Sequence, residues 1–152
     1  MTPKEFIQGV LINEISDIVQ RHPYLAFSLI AIGIEFLGKC VLTDHQNWHI
    51  IPPEKAFNTG LDLLTQDEPT YGTLDLRNEL RNGFAHTLLP NSKIALSEVQ
   101  HGTIHFSPNS EGKKILVIEI FYRDFVRACK IVLATNFPAT DKMNKQFIRV
   151  GP

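Results

Sequence analysis

Arg81, Asn82 and His86 place a permanent cation, an amide and an imidazole within six consecutive residues, Arg81-Asn82-Gly83-Phe84-Ala85-His86. A guanidinium presents a planar fork of donors that matches a phosphate. An imidazole gains and loses a proton near neutral pH, which suits it to general acid–base work. These groups are the minimum equipment for cutting RNA without a metal. In that chemistry the 2′-hydroxyl attacks its own phosphate, His86 moves the proton, Arg81 stabilises charge on the phosphoryl oxygens, and Asn82 orients His86 or the phosphate. Arg77 and Glu79, just upstream, are the candidates for further contact with substrate. The scheme requires no cofactor.

These residues lie in a stretch with helical period, predicted from about Tyr71 to Leu88. At about 100° per residue, Asp75, Glu79, Asn82 and His86 form one polar stripe. Leu76, Leu80, Phe84 and Leu88 form an apolar stripe roughly opposite, with Arg77 and Arg81 between the two. Arg81 and His86 fall about 140° apart around such a helix. One phosphate fits poorly between them on a single straight helix. It fits better in a groove where the helix meets a second copy of itself. The competing interpretation is a solvated helix face, with Asn82 bonded locally to backbone.

The run Leu76-Arg77-Asn78-Glu79-Leu80-Arg81-Asn82-Gly83-Phe84-Ala85-His86 resembles the signature of the HEPN superfamily. Its members carry an Arg, usually a polar residue directly after it, and a His four to six residues beyond the Arg. Arg81, Asn82 and His86 match that pattern position by position. The resemblance covers about a dozen residues and implies a small helical bundle with the motif on a late helix. It also implies a homodimer with two motifs meeting near the twofold axis, and metal-independent RNA cleavage giving a 2′,3′-cyclic phosphate, often in toxins or anti-phage defence proteins. Other members bind RNA, nucleotides or partner proteins without cleaving, and an antitoxin or nucleotidyltransferase is the kind of partner implied. The departure from the family is a β segment expected between the motif helix and the last helix.

Composition bounds these expectations. A chain of 152 residues with 43% hydrophobic and 20% charged residues suits one soluble domain with its own core. The net charge of −1 argues against an extended surface that coats nucleic acid by charge alone. It permits a small site that gathers Arg77 and Arg81, with modest affinity and strong salt sensitivity. Cys40 and Cys129 sit in apolar helical stretches, so buried free thiols are expected. No secretory pattern opens the chain, and Leu25 to Leu42 is broken by Glu35 and Lys39, which makes it a core helix rather than a membrane span. The cytoplasm is the expected compartment, with no membrane partner.

The elements that must position the motif follow from periodicity. Thr2-Pro3-Lys4-Glu5 starts a helix that runs to about Arg21. A nearly all-apolar second helix runs from about Tyr24 to Leu42 and should be central. Within it Glu35 and Lys39 are spaced to pair; contact of Glu35 with the Arg-His site is the alternative. A loop covers Thr43 to Pro53, a short helix runs to about Thr65, and Pro90 ends the motif helix. Ile94 to Val99, Thr103 to Phe106 and Ile115 to Ile118 suggest three strands. A last helix covers about Phe121 to Thr135. The predicted fold is mainly α, a four- to five-helix up-and-down bundle with a small antiparallel β meander at about 94–118. A single domain covers 1–137 and a tail 138–152.

Other chemistry has less support. His45 with His49 and His101 with His105 have zinc-like spacing but no obvious third ligand, so no metal is expected. No P-loop, dinucleotide fingerprint or nucleophile elbow occurs. Phe84 belongs with the core stripe, and Tyr71 and Trp48 are the candidates for exposed base stacking.

Overall fold

The structure, a computed structural model, describes residues 2–42 and 50–135. Among the described residues the chain is mainly helical, with five helices and one small two-stranded sheet. Helix α1 covers residues 3–21. Thr2 Oγ1 accepts from the Glu5 amide at 3.2 Å, and the Glu5 carboxylate accepts from the Thr2 amide at 2.6 Å. This reciprocal cap, with Pro3 following it, fixes the start. The middle of α1, Ile7–Glu14, opens into wider π-type turns before Ile15–Arg21 closes to ordinary α.

Helix α2, Pro23–Val41, is the centre of the bundle. It is long and apolar enough to cross a bilayer, with mean hydropathy 1.7, yet 56% of that stretch is buried within the protein. Helix α3, Pro53–Thr65, crosses it at unusually close range. A Cβ on Gly38 would run into the Ala56 carbonyl, and one on Gly60 into the Ile34 carbonyl. The two glycines therefore put backbone directly on backbone.

The last helix, α5, Ile118–Ala134, buries Phe121, Phe125, Ala128, Cys129 and Val132 on one face. Phe121 stacks on Phe27 of α2 with centroids 6.1 Å apart, and the Tyr122 hydroxyl donates to Ile12 O at 2.5 Å, joining α5 to α1. Full burial of each such aromatic or aliphatic side chain contributes about 1.5–3 kcal/mol. Cys40 and Cys129 are both buried, with no disulfide between them, as expected. Burial, followed by the nearby Cys40, pushes the Cys129 thiol up to about 12.

The β segment differs from the expected meander. Strand β1, Ile94–Ser97, pairs with β2, Lys114–Val117, in parallel, with Ile94 opposite Lys114 and Ser97 opposite Val117. The middle segment is not a strand between them. It passes to the far side of β2, where Pro108 bridges Lys114 in antiparallel fashion and the Phe106 amide donates to Ile115 O at 2.7 Å. Two left-handed residues, Gly102 at φ +67° and Phe106 at φ +65°, turn the chain out of the path a hairpin would take. A three-residue turn, Val99–His101, then carries the chain away from β1. Two parallel strands need a crossover, and this detour supplies it.

The expected loop 43–53 falls largely outside the described residues, as do Trp48, the His45–His49 pair and the tail 138–152.

Candidate functional site

The motif sits on helix α4, residues 76–87, which is shorter than the predicted Tyr71 to Leu88. Pro69–Thr73 forms a separate tight 3₁₀ turn, and Asp75 then takes a left-handed conformation at φ +47°. An aspartate tolerates that region when its short side chain bonds locally. Here Asp75 Oδ2 accepts from Asn78 Nδ2 at 2.9 Å, and Asp75 O accepts from the Asn78 and Glu79 amides at 3.0 Å each. Arg77–Asn82 then winds as a π-type turn before Gly83–Thr87 returns to α. Five-residue hydrogen bonding widens the turn and rotates its side chains away from the positions 3.6 residues per turn would give.

That rotation changes the expected faces. Leu76, Leu80 and Phe84 are buried as expected, but Leu88 leaves their stripe: it ends the helix at φ +58° and is 71% exposed. Glu79 does not share a polar stripe with Asn82 and His86. It points inward, 4% exposed, and its Oε2 accepts from the Lys93 amide at 2.9 Å. The actual polar ladder is Asp75–Asn78–Asn82, with Asn82 Nδ2 donating to Asn78 Oδ1 at 2.9 Å.

Arg81 is anchored from two sides. Its Nε donates to Glu35 Oε2 of α2 at 3.0 Å, and its Nη1 donates to Asn82 Oδ1 at 3.3 Å. Glu35 Oε1 holds Lys39 Nζ at 3.2 Å, so one buried carboxylate serves both cations. Both sequence expectations for Glu35 are therefore met in geometry: it pairs with Lys39 and it contacts the motif. Among the described residues Arg81 Nη2 has no partner, leaving one edge of the fork open beside a side chain 29% exposed. His86 is exposed, and among the described residues its ring makes no hydrogen bond or ion pair. Arg77 lies 4.0 Å from Glu54 of α3, apart from these contacts. The structure thus joins Arg81 with Asn82, leaves His86 free on the surface of the same helix, and separates Arg77 and Glu79 from them.

The role of Gly83 is not legible from its neighbours in the chain. Its φ of −54° is ordinary. A Cβ there would stand 2.5 Å from Leu89 O and 3.1 Å from Asn91 N. The loop after α4 therefore folds back onto the helix at the glycine. Asn91 N donates to Glu79 O at 2.9 Å and Asn91 Nδ2 to Asn78 O at 2.6 Å, completing the strap. The Tyr24 hydroxyl donates to Leu88 O at 2.7 Å and secures the same turn to α2.

A second polar cluster was not visible in the sequence. Tyr71, expected to be exposed, is fully buried. The Val117 amide donates to His105 Nδ1 at 2.9 Å, so the proton of the neutral ring sits on Nε2. That nitrogen lies 3.1 Å from the Tyr71 hydroxyl, which donates to Asp124 Oδ2 at 2.8 Å. Asp124 Oδ1 in turn accepts from Arg123 and Arg127. Burial, then the Asp124 charge, raises the Tyr71 phenol far above its usual range, and burial pushes His105 down to about 4. Both ring nitrogens of His105 are spent on this chain, and His101 pairs separately with Glu98 at 3.5 Å, so the two histidines do not form a ligand pair.

No family model matches this chain, and no curated protein or solved structure matches it.

Proposed function

We propose that this chain is a metal-independent endoribonuclease of HEPN type, acting in the cytoplasm as a homodimer, in a toxin or defence role. One observation carries the proposal. Among the described residues an exposed imidazole without a hydrogen bond, His86, shares a short helix with a guanidinium held in place by Glu35 and Asn82 and open along one edge. A positioned, partly uncommitted fork is what stabilising a phosphoryl transition state requires. His86 would take or return the proton of the 2′-hydroxyl, and Arg81 would bind the non-bridging oxygens. The homodimer is supported by apolar surface beside the motif, where Leu88 is 71%, Leu89 59% and Tyr24 42% exposed. A second copy covering that surface would bring two motifs together.

The Glu35 contact favours a second reading, a non-catalytic module binding RNA, a nucleotide or a protein partner such as an antitoxin or nucleotidyltransferase. A carboxylate on Nε offsets part of the positive charge a transition state would use. Incubation of the protein with RNA in EDTA separates the two. Cleavage to a 2′,3′-cyclic phosphate, absent on a 2′-deoxy strand and absent in His86→Ala, supports the nuclease. Cutting of the fully deoxy strand, or activity retained in His86→Ala, removes the mechanism.

A further inference from the structure

A cavity of about 390 Å³ opens beside the start of α4, lined by Asp75, Lys93, Lys113, Lys114 and Glu111 among others. Glu111 is spent on Lys113 at 2.7 Å, and Asp75 accepts from Asn78 at 2.9 Å. Among the described residues Lys93 and Lys114 have no ion pair, and three lysines against the two carboxylates of Asp75 and Glu111 leave the cavity net positive in a protein whose net charge is −1. They are held together by the fold: the Lys114 amide donates to Lys93 O at 3.0 Å as the two strands begin to pair.

The cavity is also connected to the motif. Hydrogen bonds run without a gap from Asp75 on its wall to Asn78, from Asn78 to Asn82, and from Asn82 to Arg81. Glu79, buried, fixes the Lys93 backbone directly to the motif helix. Asp75 and Arg81 are six residues apart, at most about 9 Å along the axis at 1.5 Å per residue and less through the wider π-type turn. That is no more than about three phosphates of a strand that carries one per 3.4 Å of axis.

We infer that this cavity binds a backbone phosphate of the same RNA strand whose scissile phosphate lies at Arg81 and His86, no more than about three nucleotides away. The inference rests on the RNA reading of the motif, but not on cleavage. Lys93 and Lys114 supply the charge, and Glu79 sets the distance between cavity and motif. Glu79 is thereby a positioning residue rather than a contact to substrate.

The test uses a 2′-O-methyl RNA twelve-mer, which binds but lacks the nucleophile, and a dinucleotide of the same chemistry. In the Lys93→Gln, Lys114→Gln double variant the twelve-mer should bind about tenfold more weakly. The slope of log affinity against log salt should fall by about 0.7, since each neutralised phosphate of a single strand contributes about 0.7 and the cavity takes one. Dinucleotide binding should not change, and both lysines are exposed, so the melting temperature should hold. Unchanged twelve-mer affinity and slope in the double variant, or no binding of the twelve-mer by wild type, overturns the inference. If the lysine-dependent slope appears but wild type cleaves no RNA, the cavity stands and the nuclease reading fails. If wild type cleaves RNA and the variant matches it in affinity and slope, the reverse holds.

Discussion

Glu35 Oε2 and Arg81 Nε lie 3.0 Å apart across 46 residues of sequence, joining the central helix to the motif helix. Glu35→Gln removes the shared counter-charge of Arg81 and Lys39 while keeping the shape. Breaking a pair that is only partly desolvated should cost about 1–3 kcal/mol, less than the loss of a fully buried partner. Urea unfolding of the variant and of wild type measures it. A change under about 0.5 kcal/mol would show that Arg81 and Lys39 need no anchor.

His86 should behave in the opposite way. Exposed, and without a hydrogen bond among the described residues, it contributes little to packing. His86→Ala should shift stability by less than about 0.5 kcal/mol. RNA cleavage should fall at least roughly a hundredfold, the scale of a lost general acid–base group. Arg81→Lys should lose activity comparably, because an ammonium keeps the charge but not the fork. It should also lose stability, because it weakens the Glu35 contact. Paired melting curves and cleavage rates distinguish the two roles.

The core side of the motif is open to a direct comparison. Phe84 is 3% exposed and packs edge-on against Tyr24 at 5.3 Å between centroids. Phe84→Ala should destabilise by about 3–5 kcal/mol, while Asn82→Ala should cost far less. Gly83→Ala should cost about 1–3 kcal/mol through collision with the returning loop, although alanine is the better helix former. A Gly83→Ala variant as stable as wild type would mean that the loop lifts freely from the helix.

Stability should also depend on acid. His105 is neutral in the fold, with its pKa lowered from 6.5 to about 4 by burial. A folded pKa below the unfolded one means that stability is complete above about pH 6.5 and is lost as pH falls toward 4, because the unfolded chain takes up the proton first. With the ring partly exposed, the loss from this one group should be about 1–2 kcal/mol after allowance for solvent screening. His105→Gln should flatten the decline of stability between pH 6.5 and 4 in denaturant titrations. A decline equally steep in that variant assigns the effect to other groups.

Legibility in the sequence tracked how local the cause was. The Thr2 cap, the apolar circumference of α2 and the amphipathic face of α5 are set by neighbours in the chain, and the helices stand within a few residues of expectation. Two of the three expected strands formed, but Thr103 to Phe106 is not one and the pairing is parallel, because a left-handed Phe106 and a turn at Val99–His101 decide the path, and neither residue type announces that. Within the motif, Arg81 beside Asn82 was legible. The inward turn of Glu79 was not, because one wide turn displaces side chains from α-helical positions. Tyr71, His105 and Asp124 are 53 residues apart end to end and have no motif spacing, so only tertiary structure brings them together.

The bare backbone crossing at Gly38 and Gly60 has a mechanical consequence. With no side chain between them, α2 and α3 cannot roll or slide past each other without forcing carbonyl groups into Cα atoms. Glu35 lies on the rigid side of the molecule, within one turn of that crossing. The Glu35 end of the Glu35–Arg81 pair is therefore a fixed point against which the motif helix is set. The Glu35–Arg81 and Tyr24–Leu88 contacts tie the motif helix to that rigid side at two points.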